Sequence, residues 1–509
     1  MSDQSGNNKR IARNTILLYI RMIFLMLVSL FTSRVILQVL GVEDYGIYNV
    51  VGGFVSLFGF LNGAISASTS RYITFVLGKG DKGVLKKVFS TCVLTHAVIA
   101  LAIFILAETI GLWFVMNKLV IPNDRFIAAM WVYQCSIISS IVMIMSVPYN
   151  SDIIAHERMS AFAYISIVEV VAKLAIVYAL LIGSTDKLIL YAILLLGLQL
   201  LIRFIYTSYC SRHFEESKFK FIWDRNLFGE LFAFAGWNLW GNLASALMGQ
   251  GVNIVLNMFF GSVVNAARGI AVQVQSAVQQ FSINFQMALN PQITKTYAHG
   301  ELSAMHLLIE RSSKFSFILL FCLALPIIIE ADAILQIWLG IVPDYTVNFV
   351  RLMLVICMID AVANPLMVGA SASGKLKVYQ SVIGGILLAI VPISYLVLKI
   401  GAVPEAVFIV HIVVALIAFI ARMYIVRPLI KLSLWHYTHA VLFKCIIIAS
   451  LSLIISLLTK YALPESVFGI ITTILLSVVV VLLFSYFIGL TESEKIFINS
   501  KIKNILHRS

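Results

Sequence analysis

Fourteen apolar stretches of about 20 residues or more run through this chain, and they limit what it can fold into more than any other feature. They lie near 14–40, 46–77, 88–116, 125–151, 160–183, 187–209, 227–259, 262–294, 312–339, 346–371, 377–398, 404–421, 437–459 and 466–489. Each is long enough to cross a hydrocarbon layer about 30 Å thick as a helix. In such a layer every backbone N–H and C=O must be paired within its own segment, and a helix does this. The expected fold is an all-α polytopic membrane protein with about 14 transmembrane helices. Composition agrees: 61% of the 509 residues are hydrophobic and 12% charged, far from any water-soluble domain. The opening segment Met1–Arg13 is polar and basic. The apolar run after it is too long for the core of a cleaved leader and lacks a small-residue cleavage site, so it is expected to be retained.

The charge is distributed in alternation. Lys9, Arg10 and Arg13 precede the first span, and Lys79, Lys82, Lys86 and Lys87 follow the second. Arg212, Lys218, Lys220 and Arg225 follow the sixth, Lys295, Arg311 and Lys314 the eighth, and Arg427 and Lys431 the twelfth. The intervening connections carry few basic residues. The net charge of +13 therefore reads as membrane topology rather than as nucleic-acid binding. An even number of spans with basic loops on one side is expected to place both termini in the cytoplasm.

The chain repeats itself. An offset of 220 lays Val35 on Val255, Gly41 on Gly261, Ser56 on Ser276, Ile73-Thr74 on Ile293-Thr294 and Gly80 on Gly300. Pro148…Ala155-His-Glu-Arg158 likewise corresponds to Pro365…Ala372-Ser-Gly-Lys375. Internal repeats of this kind mark secondary transporters, with the substrate site between the repeats. The expected organisation is an N-terminal six-helix lobe (1–209), an inter-lobe linker (210–226), a second six-helix lobe (227–430), and two extra helices with a tail (431–509).

Charge inside an apolar span is costly and usually functional. Arg21 and Arg34 lie within the first span, and Arg268 within the eighth. Gln275, Gln279 and Gln286 follow Arg268 at helical spacing on one face. Asn238, Asn242, Asn253 and Asn257 share a face of the seventh span. Together they describe a hydrated cationic cavity. Guanidinium groups suit phosphate through bidentate, charge-assisted bonds, and amides suit sugar hydroxyls. The plain alternatives are snorkelling or ion pairing for the arginines and interhelical hydrogen bonds for the amides. Asp360, four residues before Asn364-Pro365, is a candidate for binding a coupling cation, and so is Glu169, which an intrahelical pair with Lys173 would also explain. His96 and His411 read as structural.

The six cysteines (Cys92, Cys135, Cys210, Cys322, Cys357 and Cys445) are scattered singly and form no C-x-x-C pair. No disulfide framework, metal site, nucleotide loop or catalytic constellation is read, so the chain is not expected to be an enzyme.

Asn14-Thr15, the run Gly41-Val-Glu-Asp-Tyr-Gly-Ile-Tyr48, the helix end Ser70-Arg71-Tyr72 and the two-lobe repeat resemble bacterial polysaccharide flippases. These are Wzx-type exporters of O-antigen and capsule units, in the multidrug/oligosaccharidyl-lipid/polysaccharide exporter superfamily. The resemblance covers essentially the whole chain, though its individual motifs are loose. It implies a substrate, an oligosaccharide joined through pyrophosphate to a polyprenol and moved from the cytoplasmic to the periplasmic leaflet. It also implies alternating access, an arginine-lined cavity to which Arg21, Arg34 and Arg268 correspond by position, and a lipid-tail groove at the two C-terminal helices. No cofactor is expected, coupling to a Na+ or H+ gradient is a candidate, and polysaccharide polymerase machinery is a candidate partner. The alternative is a cation-coupled multidrug antiporter of the same fold, which would want a cavity richer in carboxylates. A membrane glycosyltransferase or polymerase would want a large outer loop or an acidic metal motif, and the chain has neither.

Overall fold

Among the described residues the apolar stretches form helices and no strand. The structure, a computed structural model, describes residues 2–56, 69, 72–73, 76–77, 81–156, 158–182, 186–218, 220–222, 224–373, 376–464, 466–492 and 494–496. Of residues 2–22, 24–25, 154, 159–160, 162–163, 182, 230–245, 287–288, 291, 294–295, 298 and 376–377, the backbone alone is described.

The helices are α1 (Ser2–Ser56), α2 (Lys82–Leu106), α3 (Phe126–Ala155), α4 (Met159–Ile182), α5 (Lys187–His213), α6 (Arg225–Phe260) and α7 (Ser262–Ala298). They continue with α8 (Leu302–Ile329), α9 (Ala331–Leu339), α10 (Thr346–Ala372), α11 (Leu376–Leu388), α12 (Ile390–Lys399), α13 (Ala406–Ile430), α14 (Lys444–Ala462) and α15 (Val467–Phe484). Eleven helices among the described residues are long and apolar enough to cross a membrane. Of the other expected spans, 46–77 runs into residues that are not described. The span 227–259 falls on α6 and 262–294 on α7, whose amide side chains lower its hydropathy.

The repeat read from the sequence appears in the backbone. Gly41 breaks α1 with φ 82° and ψ 171°. Gly261, its equivalent, separates α6 from α7 with φ 77° and ψ −166°. This region of backbone space is essentially closed to residues with a Cβ, which explains why both copies use glycine. The proline-containing helices match as well. Both α3 and α10 end at the alanine seven positions after their proline, Ala155 after Pro148 and Ala372 after Pro365.

Helix starts are set locally. Asp81 accepts from the Gly83 and Val84 N–H groups at 3.0 Å each, Asp186 from Leu188 and Ile189, and Asp224 from Asn226 and Leu227. Each carboxylate satisfies orphan donors at a helix N-terminus, where it also meets the positive end of the helix dipole. Burial alone would raise the Asp186 carboxyl, but the Arg125 guanidinium and these two N–H groups outweigh it and hold it below the ordinary range.

The chain divides into two compact units, residues 1–269 with 339–343, and residues 270–338 with 344–509. In the first, α3 packs chiefly on α5 and α2, around Phe89, Tyr149, Ile153, Tyr206, Cys210 and Phe214. Arg125 ties it together with a bidentate pair to Asp44 and a second pair to Asp186, all at 2.6–3.2 Å. In the second, α8 is central, with 67% of its apolar window buried against 28% for the span ending in α14. It packs on α10, α14 and α15 around Phe317, Phe321, Leu325, Tyr379, Tyr437 and Val481. Exposed Leu101, Ile105, Trp113, Ile127, Leu458, Phe468 and Leu475 give both units apolar outer faces, as a hydrocarbon solvent requires. All six cysteines are free, and only Cys322 is not fully buried.

Candidate functional site

The polar interior of the first unit is built where α1, α6 and α7 approach one another. The approach is close because α1 presents glycines: a Cβ on Gly46 would lie 1.9 Å from the Ser262 carbonyl oxygen, and one on Gly53 would lie 2.6 Å from Gln250 Oε1. On the facing helix, a Cβ on Gly269 would lie 2.8 Å from the Asn49 side chain. Small residues that let backbones meet, with polar side chains bridging them, are the packing mode of helices in lipid.

Asparagines fill this junction. Asn265 Nδ2 donates to Asn253 O at 2.8 Å and to Asn253 Oδ1 at 2.7 Å. Asn253 Nδ2 donates to Asn49 O at 3.1 Å. Asn257 Nδ2 donates to Asn265 Oδ1 at 3.0 Å, and Asn257 Oδ1 accepts from Val120 N at 2.9 Å. Asn253, Asn257 and Asn265 are 2% exposed or less, so these amides are engaged in holding the helix break together. Asn242 lies in α6, and its side chain is outside the described residues, as is that of Asn238. Asn265 and Asn49 escaped the sequence reading because neither belongs to the stripe on the seventh span. The only signal for Asn265 was its place just past Gly261.

Arg268 stands in α7 beside this network. It donates one Nη2 bond to the Gly249 carbonyl oxygen, and its Nε is buried without a hydrogen-bond partner. Among the described residues no carboxylate lies within ion-pair distance of it. A guanidinium partly withdrawn from water, with a buried donor left unused, is costly unless an anion visits it. Arg34, in α1, is half-buried; Arg21 lies in the same helix, with its side chain outside the described residues.

The second unit carries its own polar interior. Gln275 and Gln279 are half-buried in α7, and Gln275 reaches the Cys357 thiol. Gln286 is buried and donates to Ser316 Oγ at 3.0 Å and Ala361 O at 2.9 Å. Asp360, in α10, is half-buried and interacts electrostatically with Arg422. Arg422, in α13, is 8% exposed, and its Nε and Nη1 have no hydrogen-bond partner. Its guanidinium carbon lies 5.9 Å from the centre of the Tyr379 ring. The sequence reading passed over Arg422 because it follows the twelfth apolar run as if it were a loop charge. Glu169 accepts from Lys173 Nζ at 2.7 Å, the intrahelical pair that the spacing allowed. His96 is buried, with Nδ1 2.8 Å from Cys92 O.

A sequence model of the family described as "Polysaccharide biosynthesis protein" matches residues 11–297. No curated protein matches the chain. Among solved structures it is similar to "Lipid II flippase MurJ, inward closed conformation", with a TM-score of 0.69 and 14% identity over 93% of this chain and 98% of that one. It is also similar to an inward-facing multidrug resistance MATE family transporter of the MOP superfamily, with a TM-score of 0.62 and 14% identity over 80% and 96%. A MOP superfamily transporter from Pyrococcus furiosus gives a TM-score of 0.53 and 12% identity over 81% and 95%. At such identities the solved structures speak for the fold, while the sequence match spans more than half of the chain. The chain belongs to the polysaccharide biosynthesis protein family, and its all-helical membrane fold is that of the solved lipid II flippase and MATE transporter structures.

Proposed function

We propose that this protein flips a polyprenyl-pyrophosphate-linked oligosaccharide from the cytoplasmic to the periplasmic leaflet by alternating access, for surface polysaccharide biosynthesis. The observation that carries this reading is Arg268, a half-buried guanidinium whose buried Nε is unused and which has no carboxylate among the described residues to neutralise it. A diphosphate supplies the charge and the acceptors that Arg268 lacks. Arg34 and Arg21, on α1, are the further cations of the same site. The half-buried Gln275 and Gln279 offer amides to glycan hydroxyls. Asn253 and Asn257 contribute by fixing the helix break that holds Arg268 in place, and Asn242 remains a candidate glycan contact.

Alternation of basic loops supports cytoplasmic termini in an inner membrane. Coupling to Na+ or H+ would use Asp360, but Arg422 already gives that carboxylate a cationic neighbour, so an incoming ion competes with a guanidinium. The same fact weighs against the antiporter of cationic drugs, for which Asp360 and the shared fold are the supporting observations.

Complementation of a strain lacking the gene tests the proposal. Wild type should restore surface polysaccharide. Arg268→Ala, at equal abundance in the membrane, should lower export about 10- to 100-fold, the equivalent of losing charge-assisted hydrogen bonds worth roughly 1.5–3 kcal/mol. Arg268→Lys should recover part of this, as a point charge without the planar fork. Full export by Arg268→Ala would overturn the assignment of the diphosphate to this residue. A deletion strain with intact polysaccharide and altered resistance to cationic drugs would overturn the flippase reading itself.

A further inference from the structure

Asp152 lies in the last turn of α3 and His156 just beyond its end, four residues on. The chain passes the same spot again after α5, at residues 214–218. Asp152 is fully buried: its Oδ2 accepts from Ser217 Oγ, while its Oδ1 accepts no hydrogen bond. That free oxygen faces His156 Nε2 at 3.8 Å, and Glu216 Oε1 lies 2.6 Å from the same nitrogen. The three atoms all lie within 4.8 Å of one another. The imidazole is stacked on Phe214, with ring centres 4.1 Å apart and planes 7° apart, which fixes its direction. Glu216 is 8% exposed. Two carboxylates so close and so little hydrated repel each other, and one imidazole can supply at most a single positive charge against them. Among the described residues no Lys or Arg lies within ion-pair distance of either carboxylate.

We propose that Asp152, His156 and Glu216 bind a divalent transition-metal ion, with zinc the best match, which fastens the 214–218 segment to the end of α3. One imidazole and two carboxylates form a borderline donor set that suits such ions better than magnesium or calcium. Zinc bonds of about 2.0–2.1 Å in a tetrahedron put ligand atoms about 3.3 Å apart. The two distances from His156 Nε2, 2.6 and 3.8 Å, bracket that value, and with all three atoms within 4.8 Å of one another, side-chain rotations complete the set. The ion takes the place of the proton in the His156–Glu216 hydrogen bond, which is released to solvent. Ser217 orients Asp152 from behind, and water takes the fourth position. The ion would thus hold the seven-residue arm beyond Pro148 against the segment that leads towards α6.

The test uses the full chain, purified in detergent and stripped with a chelator. Zn2+ titrated into it should bind with one high-affinity equivalent and raise the melting temperature. Asp152→Asn, His156→Gln and Glu216→Gln each keep the side chain's size, and each should weaken this binding at least 100-fold. The metal-free variants should melt near the metal-free wild type, which separates loss of a ligand from loss of fold. His436→Gln and His439→Gln, which remove exposed imidazoles of the second unit, should leave binding unchanged. Absence of a tight equivalent in the wild type would overturn the proposal. So would tight binding that survives in all three ligand variants.

Discussion

Replacing Gly46 with alanine puts a methyl group where α1 meets the start of α7. Its position is 1.9 Å from the Ser262 carbonyl oxygen and 2.6 Å from the carbonyl carbon. Carbon atoms in contact sit about 3.5 Å apart, so the two backbones must separate by roughly 1 Å. Crowding of this kind costs about 1–3 kcal/mol. The same movement stretches the 3.1 Å bond from Asn253 Nδ2 to Asn49 O past its useful length, a further loss of about 1 kcal/mol. Alanine returns about 1 kcal/mol through its helix propensity. The net loss is about 1–3 kcal/mol, which lowers the melting temperature by roughly 3–10 °C for a unit of this size. Gly197, in α5, is the control, because a Cβ there meets nothing within 4 Å. Gly197→Ala keeps only the propensity gain and should melt at or slightly above the wild type. The assay is thermal unfolding of the purified protein in detergent, with the three proteins side by side. If Gly46→Ala shifts in the same direction as Gly197→Ala, the contact between α1 and α7 is not as close as described here, and the reasoning fails.

The two break glycines give a matched prediction. Among the described residues Gly41 has no atom within 4 Å of an added Cβ and Gly261 has only Val120 Cγ1 at 3.9 Å, so alanine at either position should cost about 1–3 kcal/mol of pure backbone strain; a neutral melting shift in either variant would refute this. Glu494 is a second target, since it accepts from the buried Lys314 Nζ at 2.8 Å and from Arg311 Nε at 3.1 Å. Glu494→Gln should cost about 3 kcal/mol, the low end for breaking a buried pair, because Gly489 O still accepts from Lys314. Burial alone would raise the Glu494 carboxyl, but the Lys314 ammonium and the Thr491 N–H outweigh it and hold it below the ordinary value of 4.5. Its stabilisation is therefore complete above that value and is lost as pH falls through the lowered folded pKa. Melting curves of wild type and Glu494→Gln should converge in acid, and parallel curves would show that the pair contributes nothing.

The spans were readable because apolar runs of this length have few other fates, and the repeat because only glycine suits the backbone at Gly41 and Gly261. Single charges were harder. Lys314 was read as a topology marker, yet it is 5% exposed and paired with Glu494, a residue 180 positions away. Arg125, one of the few basic residues of the intervening connections, meets Asp44 and Asp186, 81 and 61 positions away. The asparagine stripe showed a face but not what the face touches. Asp152 and His156 sat in plain view at helical spacing, but Glu216 comes from another segment, and no local pattern announces it. Period and composition encode which residues share a helix face. Only the packing of distant segments decides which partner each polar group meets.

The asparagine network also bears on how the chain enters a bilayer. Asn253 and Asn257 would each be a liability in hydrocarbon on their own, at a cost of a few kcal/mol per unpaired amide. Their partner Asn265 lies only 12 and 8 positions further along, just beyond the Gly261 turn. The two helices can therefore insert together as a hairpin in which Asn265 already pairs with both asparagines, before Asn49 and Val120 supply the remaining bonds. Biogenesis then depends on the hairpin rather than on the hydrophobicity of α6 alone, and separating its two halves would leave each with amides that lipid does not accept.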